Sequence, residues 1–145
     1  NRTGSRSPMQ WDDSTNAGFS SAPASELYIA MDPDKDRPTA KKEMAAPDSL
    51  YHEVKKLIRI RQSHKALQSR GKITFVYAEK NAYPLAYIRE DGDEKILVII
   101  NAAAEAKTFA CDAEPKEAIY NFGAAAEAKN GKITVPAQSA GFYRI

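Results

Sequence analysis

Apolar residues recur along this chain with two different periods, and the change between them falls near residue 70. Between residues 48 and 65 the apolar positions Leu50, Tyr51, Val54, Leu57, Ile58 and Ile60 return mostly every three or four residues. Glu53, Lys55, Lys56, Arg59 and Arg61 fill the rest of the wheel. That spacing predicts one amphipathic helix over about 48–65, with an apolar stripe that needs a neighbour to cover it. Pro47 followed by Asp48 or Ser49 marks its start, because a short oxygen-bearing side chain accepts from the first free amides of a helix. The Gln-Ser-Arg-Gly run at 68–71 ends it.

From Lys72 onward the period is two. Ile73, Phe75 and Tyr77 alternate with smaller or polar partners, Tyr83, Leu85 and Tyr87 do the same, and Glu90-Asp91-Gly92-Asp93 reads as a hairpin turn. The unbroken apolar run Ile96 to Ile100 suits a strand buried on both faces. Further strands are expected near 107–111, 116–122, 132–135 and 140–145, with Asn130-Gly131 setting a tight hairpin. Some seven short strands in this tail imply an all-β sandwich or Greek-key arrangement. Residues 102–107 and 124–129 both read Ala-Ala-Ala-Glu-Ala-Lys, a helix former by propensity. Six residues cannot hold a helix without tertiary support, so both are expected in loops or at strand edges.

The first 47 residues have neither period. Prolines at 8, 23, 33, 38 and 47 break any long element, leaving irregular loop with at most one short helical turn. A compact domain rarely opens on so long a loop, which points to attachment to a larger scaffold.

Composition narrows the function classes. The 145 residues suit one domain with a helix or two docked on it. No apolar run approaches the roughly 20 residues of a membrane helix, so no membrane partner is expected. A net charge of +2 gives no reason to expect a nucleic-acid partner. The cluster Lys55, Lys56, Arg59 and Arg61 reads as the solvated face of the helix. The single cysteine, Cys111, excludes an internal disulfide and reads as a strand residue rather than a nucleophile. With a polar opening from Asn1 to Ser7 that lacks the apolar core of a secretory leader, the expectation is a reducing, cytoplasmic location.

No complete active site is legible. Asp12 and Asp13 are the tempting carboxylates, but neighbours in an extended chain face opposite ways, and a turn or capping role fits them better than catalysis. His52 and His64, placed on one helix with no ligand-spaced Cys or carboxylate, do not suggest a metal. Phosphate-cradling glycine motifs are absent, and no cofactor is expected.

One stretch is more specific. Arg6-Ser7-Pro8-Met9-Gln10-Trp11-Asp12-Asp13, followed by Asn16-Ala17-Gly18-Phe19-Ser20, resembles the Arg-x-Pro-Met-Gln-Trp…Ala-Gly-Phe segment of α-amylase-family enzymes of the α-glucosidase, isomaltase and trehalose synthase type. Leu27-Tyr28-Ile29, and Asp48-Ser49-Leu50 leading through Lys56-Leu57-Ile58 to Arg61, are similar to the next stretch of chain in that group. Ala86-Tyr87-Ile88-Arg89, Leu97 to Asn101 and Gly141-Phe142 resemble its C-terminal β-domain more loosely. The chain departs from the pattern at Thr39-Ala40-Lys41-Lys42-Glu43, where members often read Asn-Val-Glu-Ala-Gln, and at Leu27-Tyr28-Ile29-Ala30, which replaces an aromatic-Leu-Pro motif.

The resemblance implies a mainly β fold: a C-terminal Greek-key β-sandwich at 71–145, preceded over 1–70 by the loop after the last strand of a (β/α)8 barrel and its last helix. It implies a glycoside hydrolase acting on α-glucosidic bonds of short oligosaccharides by retention. Its catalytic Asp, Glu and Asp would lie on earlier barrel strands, so no residue here is catalytic and the chain alone is inactive. Arg6 would contact the terminal glucose or form a salt bridge behind the pocket. Trp11 would anchor the loop or stack on a sugar. Two alternatives stay open: a trehalose synthase parent, and a carbohydrate-binding module using Tyr77, Tyr83, Tyr87, Tyr120 and Tyr143, most of which fall on the inward period of their strands. If nothing covers the helix, the chain alone is expected to self-associate.

Overall fold

The computed structural model describes residues 6–145, which fall into two compact units divided between Ile58 and Arg59. In the first unit long stretches lack regular structure, and the elements are short. Helix α1 (Ala40–Ala45) starts where the buried Thr39 hydroxyl accepts from Lys42 N at 3.2 Å, and it stops ahead of Pro47. With the 3-10 turns Thr15–Gly18 and Ala24–Glu26, this segment holds more than the single short helical turn expected, because each of these pieces is short enough to fit between the prolines.

Helix α2 runs Leu50–Ser63. Ser49 caps it: its hydroxyl accepts from His52 N at 3.4 Å and donates to the Glu43 carbonyl at 2.5 Å. None of its fourteen residues is buried. Leu50, Val54 and Ile58, spaced four apart on one face, are 73%, 44% and 51% exposed. Tyr51 beside them, with Lys55 Nζ over its ring at 5.5 Å, is also exposed.

The second unit is an all-β sandwich. Strands β1 (Lys72–Tyr77), β2 (Leu85–Asp91), β3 (Glu94–Asn101), β8 (Ser139–Arg144) and β5 (Glu117–Phe122) pair in the order β1-β2-β3-β8-β5. Strands β4 (Lys107–Ala110), β7 (Lys132–Val135) and β6 (Glu127–Lys129) form a second sheet, β4-β7-β6. Every pairing is antiparallel. Between the sheets lies a core of Ala86, Leu97, Ile99 and Tyr143 from the first and Phe109, Ile133 and Val135 from the second. Ile96 and Val98 point the other way and pack with Ala66, Leu67, Tyr87, Ile100 and Phe142. Strand β3 is therefore covered on both faces, as its unbroken apolar run requires.

The Asn130-Gly131 turn joins β6 to β7, and both residues sit at positive φ, 53° and 70°, as a type I′ turn demands. The two Ala-rich hexapeptides go to neither helix. In the first, Ala103 N donates to Asn101 Oδ1 at 3.1 Å and the Asn101 amide lies 2.9 Å from the Glu105 carbonyl, so the buried asparagine shapes a loop. In the second, residues 127–129 become edge strand β6, and Ala126 N donates to the Tyr143 hydroxyl at 3.0 Å. Cys111 is buried but lies just past β4 rather than in it, donating toward the Ala113 carbonyl, and burial pushes its thiol pKa up.

Candidate functional site

The loop that carries Arg6 to Ser20 is built on backbone pairing. Trp11 N and Asp12 N donate to the Ala17 carbonyl at 2.8 and 3.2 Å, and Ala17 N donates to Ser14 O at 2.9 Å, closing a small ring. Ala40 N and Lys41 N donate to the carbonyls of Gln10 and Trp11, each at 2.9 Å, so the start of α1 holds the base of the loop. Asn16, Ala17 and Gly18 lie in succession at φ 50°, 51° and 71°. Asn16 compensates by placing its amide nitrogen 2.9 Å from Ser20 O and 2.7 Å from Ala22 O. A Cβ at position 18 would lie 2.9 Å from Asp12 Oδ1 and 3.2 Å from Trp11 Cβ, which leaves little choice but glycine.

Of the two acidic residues, Asp12 is a turn group and Asp13 forms an ion pair. Asp12 Oδ1 accepts from Ser14 N and from the Ser14 hydroxyl, and these bonds hold its carboxyl below the usual value. Asp13 pairs with Lys42 Nζ at 3.1 Å. Arg6 lies exposed at the start of the described residues, and Met9, Trp11 and Phe19 are each about half exposed, so Trp11 is not sealed beneath the loop within this unit. Pro8, Met9, Gln10, Thr39, Glu43 and Tyr51 line an open cleft of about 440 Å³ beside it.

The histidines differ from the sequence reading. His52 stands on α2, with Nε2 3.0 Å from the Met44 carbonyl. His64 has left the helix, and its Nδ1 lies 2.6 Å from Glu94 Oε1, a carboxylate thirty positions away that spacing could not reveal. Among the described residues, no group of three His, Cys, Asp or Glu side chains is placed to hold a metal, and no helix is long and apolar enough to cross a membrane. Of the five tyrosines considered as sugar platforms, Tyr120 and Tyr143 are buried and Tyr77 and Tyr87 are partly buried against the core clusters. Only Tyr83 among them is exposed.

The α-amylase catalytic-domain family model matches residues 1–70. Over 135 residues, 93% of the chain, the sequence is 30% identical to a glucan 1,6-alpha-glucosidase of Streptococcus pneumoniae. It is 35% identical over 108 residues, 74% of the chain, to an oligo-1,6-glucosidase of Bacillus cereus. The crystal structure of the trehalulose synthase MutB from Pseudomonas mesoacidophila MX-45 superposes on 99% of the chain with a TM-score of 0.80 and 30% identity. Residues 1–70 belong to the α-amylase family. The likeness to these enzymes runs through both units, and the family is one of glycoside hydrolases. The chain spans 24% and 18% of the two glucosidases and 26% of the trehalulose synthase. The antiparallel sandwich agrees with the C-terminal domain of such α-amylase-family enzymes.

Proposed function

We propose that this chain supplies the end of a longer retaining glycoside hydrolase that cleaves α-glucosidic bonds of short oligosaccharides. In this reading residues 1–70 close the catalytic barrel, residues 71–145 form a β-domain that stabilises it, and the reacting carboxylates lie outside the chain. The observation that carries it is α2: a capped fourteen-residue amphipathic helix with no buried residue. In water such a helix owes its stability to packing of its apolar face, which supports a reading in which a barrel covers that face. Relatives named for 1,6-glucosidic substrates support α-1,6 bonds as the target class. Arg6 would act by donating from its guanidinium to hydroxyls of the terminal glucose, fixing the ring while acids elsewhere break the bond.

The test is a chimaera in which the chain replaces its matched segment in the Bacillus cereus oligo-1,6-glucosidase. The chain alone is expected to turn over neither isomaltose nor maltose, and the chimaera to hydrolyse isomaltose. Arg6→Met in the chimaera is expected to lower kcat/KM by about 10- to 100-fold, the worth of one or two charge-assisted hydrogen bonds. Hydrolysis by the isolated chain would overturn the proposal. With Leu50, Val54 and Ile58 uncovered, the isolated chain is expected to self-associate, which sedimentation velocity reads. A second reading, a glucosyl-isomerising parent, draws support from the trehalulose synthase likeness. Product analysis separates it from hydrolysis.

A further inference from the structure

We infer that Arg89, Glu94 and His64 form a latch that fastens the connector between α2 and β1 to the five-stranded sheet, making the last turn of the helix and the β-sandwich one cooperative unit. The connector, residues 64–71, contains a 3-10 turn, Lys65–Leu67, whose middle residue Ala66 is fully buried. Both backbone polar groups of Ala66 are taken by side chains from neighbouring strands. Glu94, at the start of β3, accepts from Ala66 N through Oε2 at 2.9 Å and bonds His64 Nδ1 through Oε1 at 2.6 Å. Arg89, on β2, donates from Nε to the Ala66 carbonyl at 3.1 Å, and from Nη2 to the carbonyls of Gln68 and Gly71 at 2.6 and 3.0 Å.

One guanidinium thus gathers three carbonyls of a segment that joins no sheet, a geometry that a lysine cannot reproduce. Two further bonds tie the helix end to the connector: Arg61 Nε to the Leu67 carbonyl at 3.3 Å, and Gln68 Nε2 to the Gln62 carbonyl at 3.1 Å. The closeness leaves no slack, since a Cβ on Gly71 would collide with the Ala66 carbonyl oxygen. Arg144 reaches Glu94 from β8 at 3.8 Å while also pairing with Glu117 on β5 at 3.1 Å, so the latch is braced across the sheet. The arrangement lies wholly within residues 59–145 and does not depend on the barrel proposal. If that proposal holds, this latch is the means by which the β-domain grips the end of the helix.

Amide hydrogen exchange on the full chain tests it. In Arg89→Met and in Glu94→Gln, the amides of Ala66, Leu67 and Gly71 are expected to exchange at least about tenfold faster, while Leu97, Ile99 and Tyr143 keep their protection. Arg89→Lys, which preserves charge and aliphatic stem and so guards against a variant that fails to fold, is expected to open the connector as Arg89→Met does. Equal acceleration at Ala66 and at Leu97 and Ile99 would reduce the cluster to general stabilisation, and unchanged exchange at Ala66 would remove it altogether. Rescue by Arg89→Lys would replace the three-carbonyl fork with a simple charge effect. Failure of the chimaera to hydrolyse isomaltose leaves these outcomes untouched, so the two ideas fall separately.

Discussion

Asn101 is the residue whose loss the sandwich should feel most sharply for its size. It is 1% exposed, at the end of β3 opposite Ser139. Its amide nitrogen lies 2.9, 3.2 and 2.8 Å from the carbonyls of Glu105, Val135 and Pro136, and its Oδ1 accepts from Ala103 N at 3.1 Å. One side chain therefore shapes the first Ala-rich loop and ties it to the end of β7 in the opposite sheet. In Asn101→Ala, Pro136 O keeps the Ser139 hydroxyl at 2.7 Å, and Glu105 is at the exposed side of the loop. The Val135 carbonyl and the Ala103 amide lose their side-chain partner. Two such groups, at about 1–3 kcal/mol each and partly relieved by water, put the cost at about 2–4 kcal/mol, a large share of the roughly 5–15 kcal/mol that holds a small domain.

Asn101→Asp sharpens the test through pH. The substitution keeps the acceptor for Ala103 but sets a carboxylate against three carbonyl oxygens, so its folded pKa must rise above the unfolded value. A raised acid binds its proton more tightly when folded. Stability relative to the parent is then greatest at low pH and falls as pH rises from about 4, the unfolded value, through the higher folded value. Urea unfolding followed by far-UV circular dichroism, run at several pH values, reads both effects. An Asn101→Ala variant within about 0.5 kcal/mol of the parent, or an Asn101→Asp variant whose deficit shrinks as pH rises, would refute the reasoning.

Two further outcomes rest on the same structure. Cys111, buried and with its pKa raised, should react with iodoacetamide at pH 8 far more slowly than a free cysteine and reach the free rate only in denaturant; rapid alkylation of the folded chain would contradict its placement. Burial alone would favour neutral Glu94, but the Ala66 amide, His64 and Arg144 outweigh it and hold its carboxyl below the usual range. Its contribution is therefore present above the ordinary carboxylate value and lost as pH falls through the folded one. The gap in Ala66 protection between the parent and Glu94→Gln should accordingly close as pH falls from the ordinary carboxylate value through the lower folded one, and a gap that widens on acidification would reverse the assignment.

The elements were legible wherever the local pattern and the environment agreed. The period of two from Lys72 gave the strands, and the unbroken Ile96–Ile100 run gave a strand buried on both faces. Asn130-Gly131 gave its turn because only a few residues tolerate successive positive φ. What the pattern could not give is pairing across distance. The union of His64 with Glu94, or of Arg89 with three carbonyls of the connector, is decided by how β2 and β3 pass the end of α2. The Ala-rich hexapeptides show local propensity losing to tertiary demand: a buried asparagine bends one and an edge pairing straightens the other. At the loop, the turn role of Asp12 was readable from its placement, the pairing of Asp13 with Lys42 was not, and Arg6 stands exposed with its role resting on the barrel proposal.

The same rule, that an apolar stripe must be covered, applies at two places in this chain and meets two different ends. For β3 the chain supplies both covers: the opposite sheet on one side, and the connector with its own strand neighbours on the other. For α2, in the unit that ends at Ile58 and whose other elements are α1 and two 3-10 turns, Leu50, Val54 and Ile58 stay exposed. A pattern of hydrophobic positions states that a surface needs a partner, and it is silent on whether that partner lies in the same polypeptide segment. Where the answer is inside, burial and stability follow from the chain itself, and substitutions such as those at Asn101 can be judged on it alone. Where it is outside, the stripe faces water in the segment alone, and under the barrel proposal adding the rest of the barrel should bury Leu50, Val54 and Ile58 together.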